Sequence, residues 1–141
     1  MKILIPIDGS PSANRAVDQV ITTASLFKEA PQIFLLNVQW NIASGNVKLF
    51  INQETINDYY REQGMAALAS ARKKLDAAGL AYTYHISIGT PAEAIVQYAQ
   101  EQKADQITMG AHGQDALSAL LLGSVVNKVA HLATMPVLLI K

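Results

Sequence analysis

The chain has 141 residues, which is the size of one domain with a complete hydrophobic core. Its 11 Lys and Arg balance 11 Asp and Glu, so the formal net charge is zero, and it has no cysteine. This composition argues against a nucleic-acid-binding surface and excludes disulfides, thiolate zinc sites and a cysteine nucleophile. No apolar run approaches the roughly 20 residues of a membrane helix, and no secretory signal is visible, so we expect a cytoplasmic protein without a membrane partner.

Five segments of the chain predict β-strands. Residues 3–7, 33–38 and 137–140 are nearly continuous aliphatic runs, which are typical of parallel strands covered by helices on both faces. Residues 82–88 alternate between apolar and polar side chains, so we expect an edge strand there. Residues 106–110 form the remaining strand.

Helix signals separate these strands. Ser10-Pro11 predicts the start of a first helix, with serine as the N-cap and proline as the first helical residue. A second helix is expected over about residues 54–78, ending at Gly79. Thr90 to Glu93 reads as a capping box that begins a third helix. A fourth helix begins near Gly123-Ser124.

The resulting order alternates strand and helix from the first strand to the fifth. It predicts a single domain over residues 1–141, built as an open, mostly parallel α/β sheet with helices on both faces. Residues 39–53 form the only long connection, and a loop of that length in a compact domain is usually functional or mobile. We interpret Trp40 and Phe50 in this connection as packing residues rather than as a cover over a ligand.

The turn after the fourth predicted strand is the most informative candidate site, since ligands of open α/β sheets bind beyond the carboxyl ends of the strands. Gly110 and Gly113 frame this turn, and nine residues separate Gly113 from Gly123-Ser124. A helix N-terminus offers unpaired N–H groups to phosphate, and glycine permits close approach. The Ser124 hydroxyl would add a donor or reach a metal ion, and Lys128 would add positive charge. The same glycines would equally suit an ordinary turn and helix start.

The pattern Gly110-x2-Gly113-x9-Gly123-Ser124 resembles the nucleotide-binding signature of the universal stress protein family. Three other segments are also similar to that family: residues 3–10, Gly89-Thr90-Pro91 and residues 136–140. The resemblance implies a five-stranded parallel sheet and a bound adenine nucleotide, usually ATP, accompanied by Mg or Mn. It further implies a homodimer in which the last strands, residues 137–140, pair antiparallel.

The resemblance also implies roles for eleven residues. On the adenine and ribose side it places Pro6, Ile7 and Asp8, with the Val38 backbone against the adenine. Flanking the nucleotide it places Met109 and Gly110, and around the ribose and phosphates His112, Gly113, Gly123, Ser124 and Val125.

Several residues have alternative interpretations. Asp8 either accepts hydrogen bonds from a ligand or stabilises the turn before the first helix. His112 either donates to phosphate or faces water. His85 and His131 lack partners at metal-ligand spacing, so we expect structural roles for both.

Three functions remain open on the sequence. The first is an ATP-binding stress-response or signalling module in which the nucleotide is a ligand or switch. The second is a slow ATPase or nucleotide-dependent transferase with His112 or Asp115 as its base; the chain has no Gly-x-Ser-x-Gly elbow and no P-loop, so we expect any hydrolysis to be slow. The third is a nucleotide-free dimeric interaction module.

Overall fold

The computed structural model describes residues 1–42, 50–113 and 121–141. Within these ranges the strands are β1 (Lys2–Pro6), β2 (Gln32–Gln39), β3 (Tyr82–Ile88), β4 (Gln106–Gly110) and β5 (Val137–Ile140). The α-helices are α1 (Pro11–Thr23), α2 (Gln53–Ala77), α3 (Pro91–Glu101) and α4 (Ser124–Leu132), and a 3-10 turn at Ala24–Leu26 follows α1. None of the described helices is long and apolar enough to cross a bilayer.

The five strands form one parallel sheet in the order β3-β2-β1-β4-β5. The central strand β1 pairs on both sides, so Leu4 faces Phe34 of β2 and Ile107 of β4. The chain leaves β1 for β2 and β3 on one side and returns to β4 and β5 on the other. The predicted α/β fold is therefore confirmed, and its switch point lies between β1 and β4.

The sheet separates two hydrophobic cores. Ile3 and Ile5 of β1 enter the core beneath α1 and α2, whereas Leu4 enters the core beneath α3 and α4; these three side chains are at most 1% exposed. Burying one such side chain contributes about 1.5–3 kcal/mol. The continuous aliphatic run of β1 follows from this arrangement, because successive residues of the strand face opposite cores.

The two outer strands of the sheet are β3 and β5. The prediction of an edge strand at β3 is confirmed, and its Thr83 and His85 are exposed. The aliphatic run of β5 had suggested a strand covered on both faces, and this was only partly correct. Because β5 is also at an edge, its Leu138 is 42% exposed while Val137 and Leu139 pack against the α3–α4 core.

The predicted capping residues can be compared with the hydrogen bonds observed at the helix ends. Ser10 Oγ accepts the Ala13 N–H at 3.1 Å, which confirms the N-cap of α1. Thr90 does precede α3, but its side chain makes no capping hydrogen bond. The capping box was therefore wrong, since Glu93 forms an ion pair with Lys128 of α4 instead. Gly79, with φ of +67°, follows the end of α2 as predicted.

Candidate functional site

A cavity of about 640 Å³ opens at the switch point of the sheet, beyond the carboxyl ends of β1, β2 and β4. Its size is typical of small-molecule sites. Gln63 and Ala67 of α2 line one side, and Pro91 and Ile95 of α3 line another, together with the first residues of α4. The cavity thus lies between the two helical layers, at the carboxyl ends of the strands.

All of the residues predicted for the site line this cavity. They are Pro6, Ile7, Asp8, Val38, Met109, Gly110, His112, Gly113, Gly123, Ser124 and Val125. The structure therefore brings together residues that are up to 119 positions apart (125 − 6). Their contact with a nucleotide remains a prediction.

The turn between β1 and α1 supplies a carboxylate to the cavity wall. Asp8 Oδ1 accepts the Ser10 N–H at 2.9 Å, and Gly9 between them has φ of +83°, which favours glycine. Asp8 therefore has the turn-stabilising role that the sequence allowed. Its second oxygen faces the glycine turn after β4, since a Cβ at Gly113 would lie 3.4 Å from Asp8 Oδ2. One carboxylate thus holds the turn and also borders the glycine turn.

The turn after β4 packs closely on α1. A Cβ at Gly110 would lie 2.5 Å from the backbone carbonyl of Ser12, so glycine is required there for packing. The His112 N–H donates to Ser12 Oγ at 3.3 Å. His112 Nδ1 is buried and has no hydrogen-bond partner within the described ranges. A buried nitrogen of this kind is costly unless a ligand or water satisfies it.

The N-terminus of α4 opens onto the same cavity. The Gly123 N–H donates to the carbonyl of Ala111 at 3.0 Å, which fixes the helix start against the glycine turn. No side chain caps this helix, and its first N–H groups, at residues 124–126, have no partner within the helix. The positive end of the helix dipole therefore adjoins the cavity wall.

Three predictions near the site have different outcomes. Lys128 does not line the cavity, so its predicted contribution of charge there was wrong: its ammonium group pairs with Glu93 of α3. That pairing lowers the pKa of the Glu93 carboxyl, chiefly through the hydrogen bond from Lys128. Asp115, the alternative base, lies outside the described residues, as do residues 43–49 of the long connection.

The described ends of the long connection are not packed as we had interpreted them. Trp40 is 62% exposed and lines the cavity, and Phe50 is 86% exposed. The packing interpretation was wrong, because both side chains are largely exposed to solvent and only Trp40 of the two borders the cavity. The sequence does not show where the ends of β2 and α2 lie relative to the cavity, so it did not predict that these two side chains would be exposed.

The wall also contains polar residues outside the eleven that were predicted for the site. Asn37 and Gln39 of β2 and Gln63 of α2 all line the cavity. Asn37 gave a usable signal, because it interrupts an otherwise aliphatic strand just before its carboxyl end. Gln63 gave none, since a polar residue on an amphipathic helix is ordinarily solvated.

The described His, Asp and Glu side chains do not form a metal site, and two of the histidines lie away from the cavity. Within the described parts of the chain, no three His, Asp or Glu side chains gather as a metal site, and a metal contact of Ser124 remains a prediction. The His85 ring stacks on Tyr98 with centroids 5.2 Å apart, in line with a structural role. His131 is exposed on α4.

Comparisons with known proteins match residues 1–141 to the universal stress protein family. Universal stress protein MJ0531 of Methanocaldococcus jannaschii is 34% identical, over 99% of this chain and 81% of that protein. The solved structure of MJ0577 from the same organism, 30% identical, superposes with a TM-score of 0.83 and covers 99% of this chain and 94% of that one.

Two more distant solved structures hold adenine nucleotides. One is a universal stress protein in complex with cAMP, at 24% identity and a TM-score of 0.67, over 100% of this chain and 96% of that one. The other is an Arabidopsis thaliana member with AMP bound, at 20% identity and a TM-score of 0.65, over 100% and 91%. At these identities the likeness establishes the shared fold.

Proposed function

The chain belongs to the universal stress protein family, and on that premise we propose that it binds an adenine nucleotide, ATP foremost, in the cavity at the switch point. The observation that carries the proposal is the uncapped N-terminus of α4, which adjoins the same cavity as Gly113 and Asp8. Unpaired N–H groups at a helix N-terminus are a ready site for phosphate. The family members with cAMP and AMP bound support the choice of ligand class.

The residues of the cavity fit the parts of such a ligand. Pro6 to Asp8 and the Val38 backbone offer apolar contact and hydrogen-bond acceptors for a base and ribose. The described cavity wall has no lysine or arginine, and the phosphate binding we propose rests on the N–H groups of residues 124–126 and on the helix dipole. An accompanying Mg²⁺ or Mn²⁺ would offset phosphate charge, with the exposed Ser124 hydroxyl as its ligand.

The nucleotide acts, in this proposal, as a ligand or switch for a stress-response or signalling module. A bound nucleotide would alter the surroundings of Trp40, which lines the cavity and is the only tryptophan in the chain. A partner protein would then distinguish the two states by the surface around the cavity mouth. A switch of this kind requires a partner that binds the two states with different affinity.

The emission of Trp40 gives a direct test. Titration of nucleotide-free protein with ATP and Mg²⁺ is expected to give a saturable change in tryptophan fluorescence, with calorimetry showing one site per chain. The absence of both signals at millimolar ATP would overturn the proposal.

A single-turnover assay separates a switch from an ATPase or transferase in the same cavity, because a switch leaves bound ATP intact for hours.

We further propose that two chains form a homodimer through antiparallel pairing of β5. The outer edge of β5 is unpaired within the described residues, and an edge strand presents backbone groups ready for pairing. Leu138 on this strand is 42% exposed. Pairing would bury its apolar surface.

A further inference from the structure

Two side-chain amides line the cavity at the end of β2, outside the eleven predicted site residues. Asn37 is 2% exposed, and Gln39, which is half-buried, lies on the same face of the sheet because it is two positions further along the strand. Asn37 Nδ2 donates to the carbonyl oxygen of Ile7 at 2.8 Å. Asn37 Oδ1 accepts from Gln39 Nε2 at 2.6 Å.

The chain of hydrogen bonds fixes how each amide is turned. A backbone carbonyl can only accept, so Asn37 must direct its NH₂ group toward Ile7 and its oxygen toward Gln39. Gln39 must then direct its NH₂ group toward Asn37. If Gln39 turned over, its oxygen would face the oxygen of Asn37; if both turned, Asn37 Oδ1 would face the carbonyl of Ile7. Each alternative replaces a hydrogen bond with a contact between two acceptors.

A fixed amide can discriminate between bases that a freely turning amide cannot. Gln39 Oε1 accepts no hydrogen bond from the residues that the structure describes, and one N–H of Nε2 remains beyond the one given to Asn37. The amide therefore offers an acceptor beside a donor. Adenine presents the complement, an amino donor beside a ring-nitrogen acceptor, and a glutamine amide commonly binds adenine in this way. At the same ring position, hypoxanthine and guanine present an oxo acceptor.

We propose that Gln39, held in orientation by Asn37, is the residue that selects adenine over 6-oxopurine bases in this cavity. Gln39 touches the base, and Asn37 is a positioning residue that acts through it. The inference rests on the proposed nucleotide-binding function. It adds the base specificity of that site and assigns it to two side chains.

The test compares the affinities for ATP and ITP, which differ in having an amino or an oxo group at that ring position and, as a consequence, an acceptor nitrogen or an N–H at the adjacent N1. Wild-type protein is expected to bind ATP roughly tenfold or more tightly than ITP, since the wrong base leaves polar groups unpaired. Gln39→Leu removes both amide groups, so the ratio of the two affinities falls to within about twofold. Gln97→Leu, the same change on an exposed part of α3, keeps the wild-type ratio.

Asn37→Ala provides the second arm, because it releases Gln39 to turn over. Its expected signature is tighter ITP binding than in the wild type, which a merely structural lesion would not produce. A wild-type preference below about twofold, or a Gln39→Leu variant that keeps the wild-type ratio, overturns the inference while leaving nucleotide binding intact. Absence of binding to either nucleotide overturns the proposed function, and the inference with it.

Discussion

Gly110 and Gly123 limit the size of a side chain to different degrees and for different physical reasons. A Cβ at Gly110 would lie 2.5 Å from the backbone of Ser12, so this glycine allows α1 to pack on β4. At Gly123 the nearest atoms to a Cβ would be Gly113 N at 3.3 Å and His112 Cα at 3.6 Å. A single methyl group nearly fits there, and the space beyond it belongs to the cavity.

Gly123→Val should therefore weaken nucleotide binding more than it weakens the fold. We expect the ATP affinity to fall at least tenfold, roughly, because the branched side chain covers the approach to the N–H groups of α4, and the free energy of unfolding to fall by about 1 kcal/mol. Trp40 fluorescence measures the first quantity and urea unfolding the second. Gly123→Ala is the matched control and should retain most of the affinity. Wild-type ATP affinity in the valine variant would contradict the placement of phosphate at this helix.

Gly110→Ala should instead destabilise the fold itself. The new methyl group meets backbone, which cannot move aside, so we expect a loss of about 1–3 kcal/mol in urea unfolding. Gly64→Ala is the comparison, because the atoms nearest to its Cβ would be side-chain atoms of Ile86, the first at 2.6 Å, and alanine favours the helix by up to ~1 kcal/mol. If Gly64→Ala proved the more damaging change, our packing explanation for Gly110 would be incorrect.

The ion pair between Glu93 and Lys128 links α3 to α4 at the level of elements. Lys128 lowers the pKa of the Glu93 carboxyl in the folded state. For a depressed carboxyl pKa, the stabilisation is present above the ordinary glutamate pKa and is lost as the pH falls through the lowered value. Both side chains are about half exposed, at 47% and 51%, so the effect on stability is expected to be small.

Lys128→Met tests both the pairing and the correction to the predicted phosphate contact. We expect the Glu93 pKa, followed by NMR, to rise toward its ordinary value. The stability difference from the wild type should be present at neutral pH and vanish as the pH falls through the lowered pKa of Glu93. Lys73→Met, on the exposed face of α2, should change neither. ATP affinity should stay within about twofold, and a tenfold loss would show that Lys128 reaches the phosphates.

The elements themselves were largely predictable from the sequence, because their signals are local. Aliphatic runs located β1, β2 and β5, and Ser10 located the start of α1. Contacts between side chains on different elements were harder to predict from the sequence. Lys128 sits one turn into α4, and only the packing of α3 beside it shows that Glu93 is its partner.

The candidate site was likewise predictable only in part. The glycine signature lies within one short stretch, so the sequence could identify it. The role that we propose for the Asn37–Gln39 pair depends on the sheet order, which places Ile7 beside β2, where its carbonyl accepts from Asn37. The sequence of β2 alone does not predict this hydrogen bond.

At the scale of the whole molecule, the exposed edge of β5 predicts the oligomeric state. Wild-type protein should sediment at twice the 15.2 kDa chain mass. Leu138→Lys should shift the mass toward that of one chain, because it places a charge on the apolar edge. Thr83→Lys, the same residue introduced on the opposite edge strand β3, should remain dimeric. A monomeric wild type at micromolar concentration would contradict the proposed pairing.

The balanced charge of the chain fits a site that binds phosphate through backbone N–H groups, and the nucleotide itself is the central claim. Mass spectrometry of protein purified under native conditions tests it most directly. We predict an adenine nucleotide, up to one per chain, in the mass of the native complex and in its denatured extract. Protein that emerges free of nucleotide, and whose melting temperature does not rise with added ATP and Mg²⁺, would contradict the account.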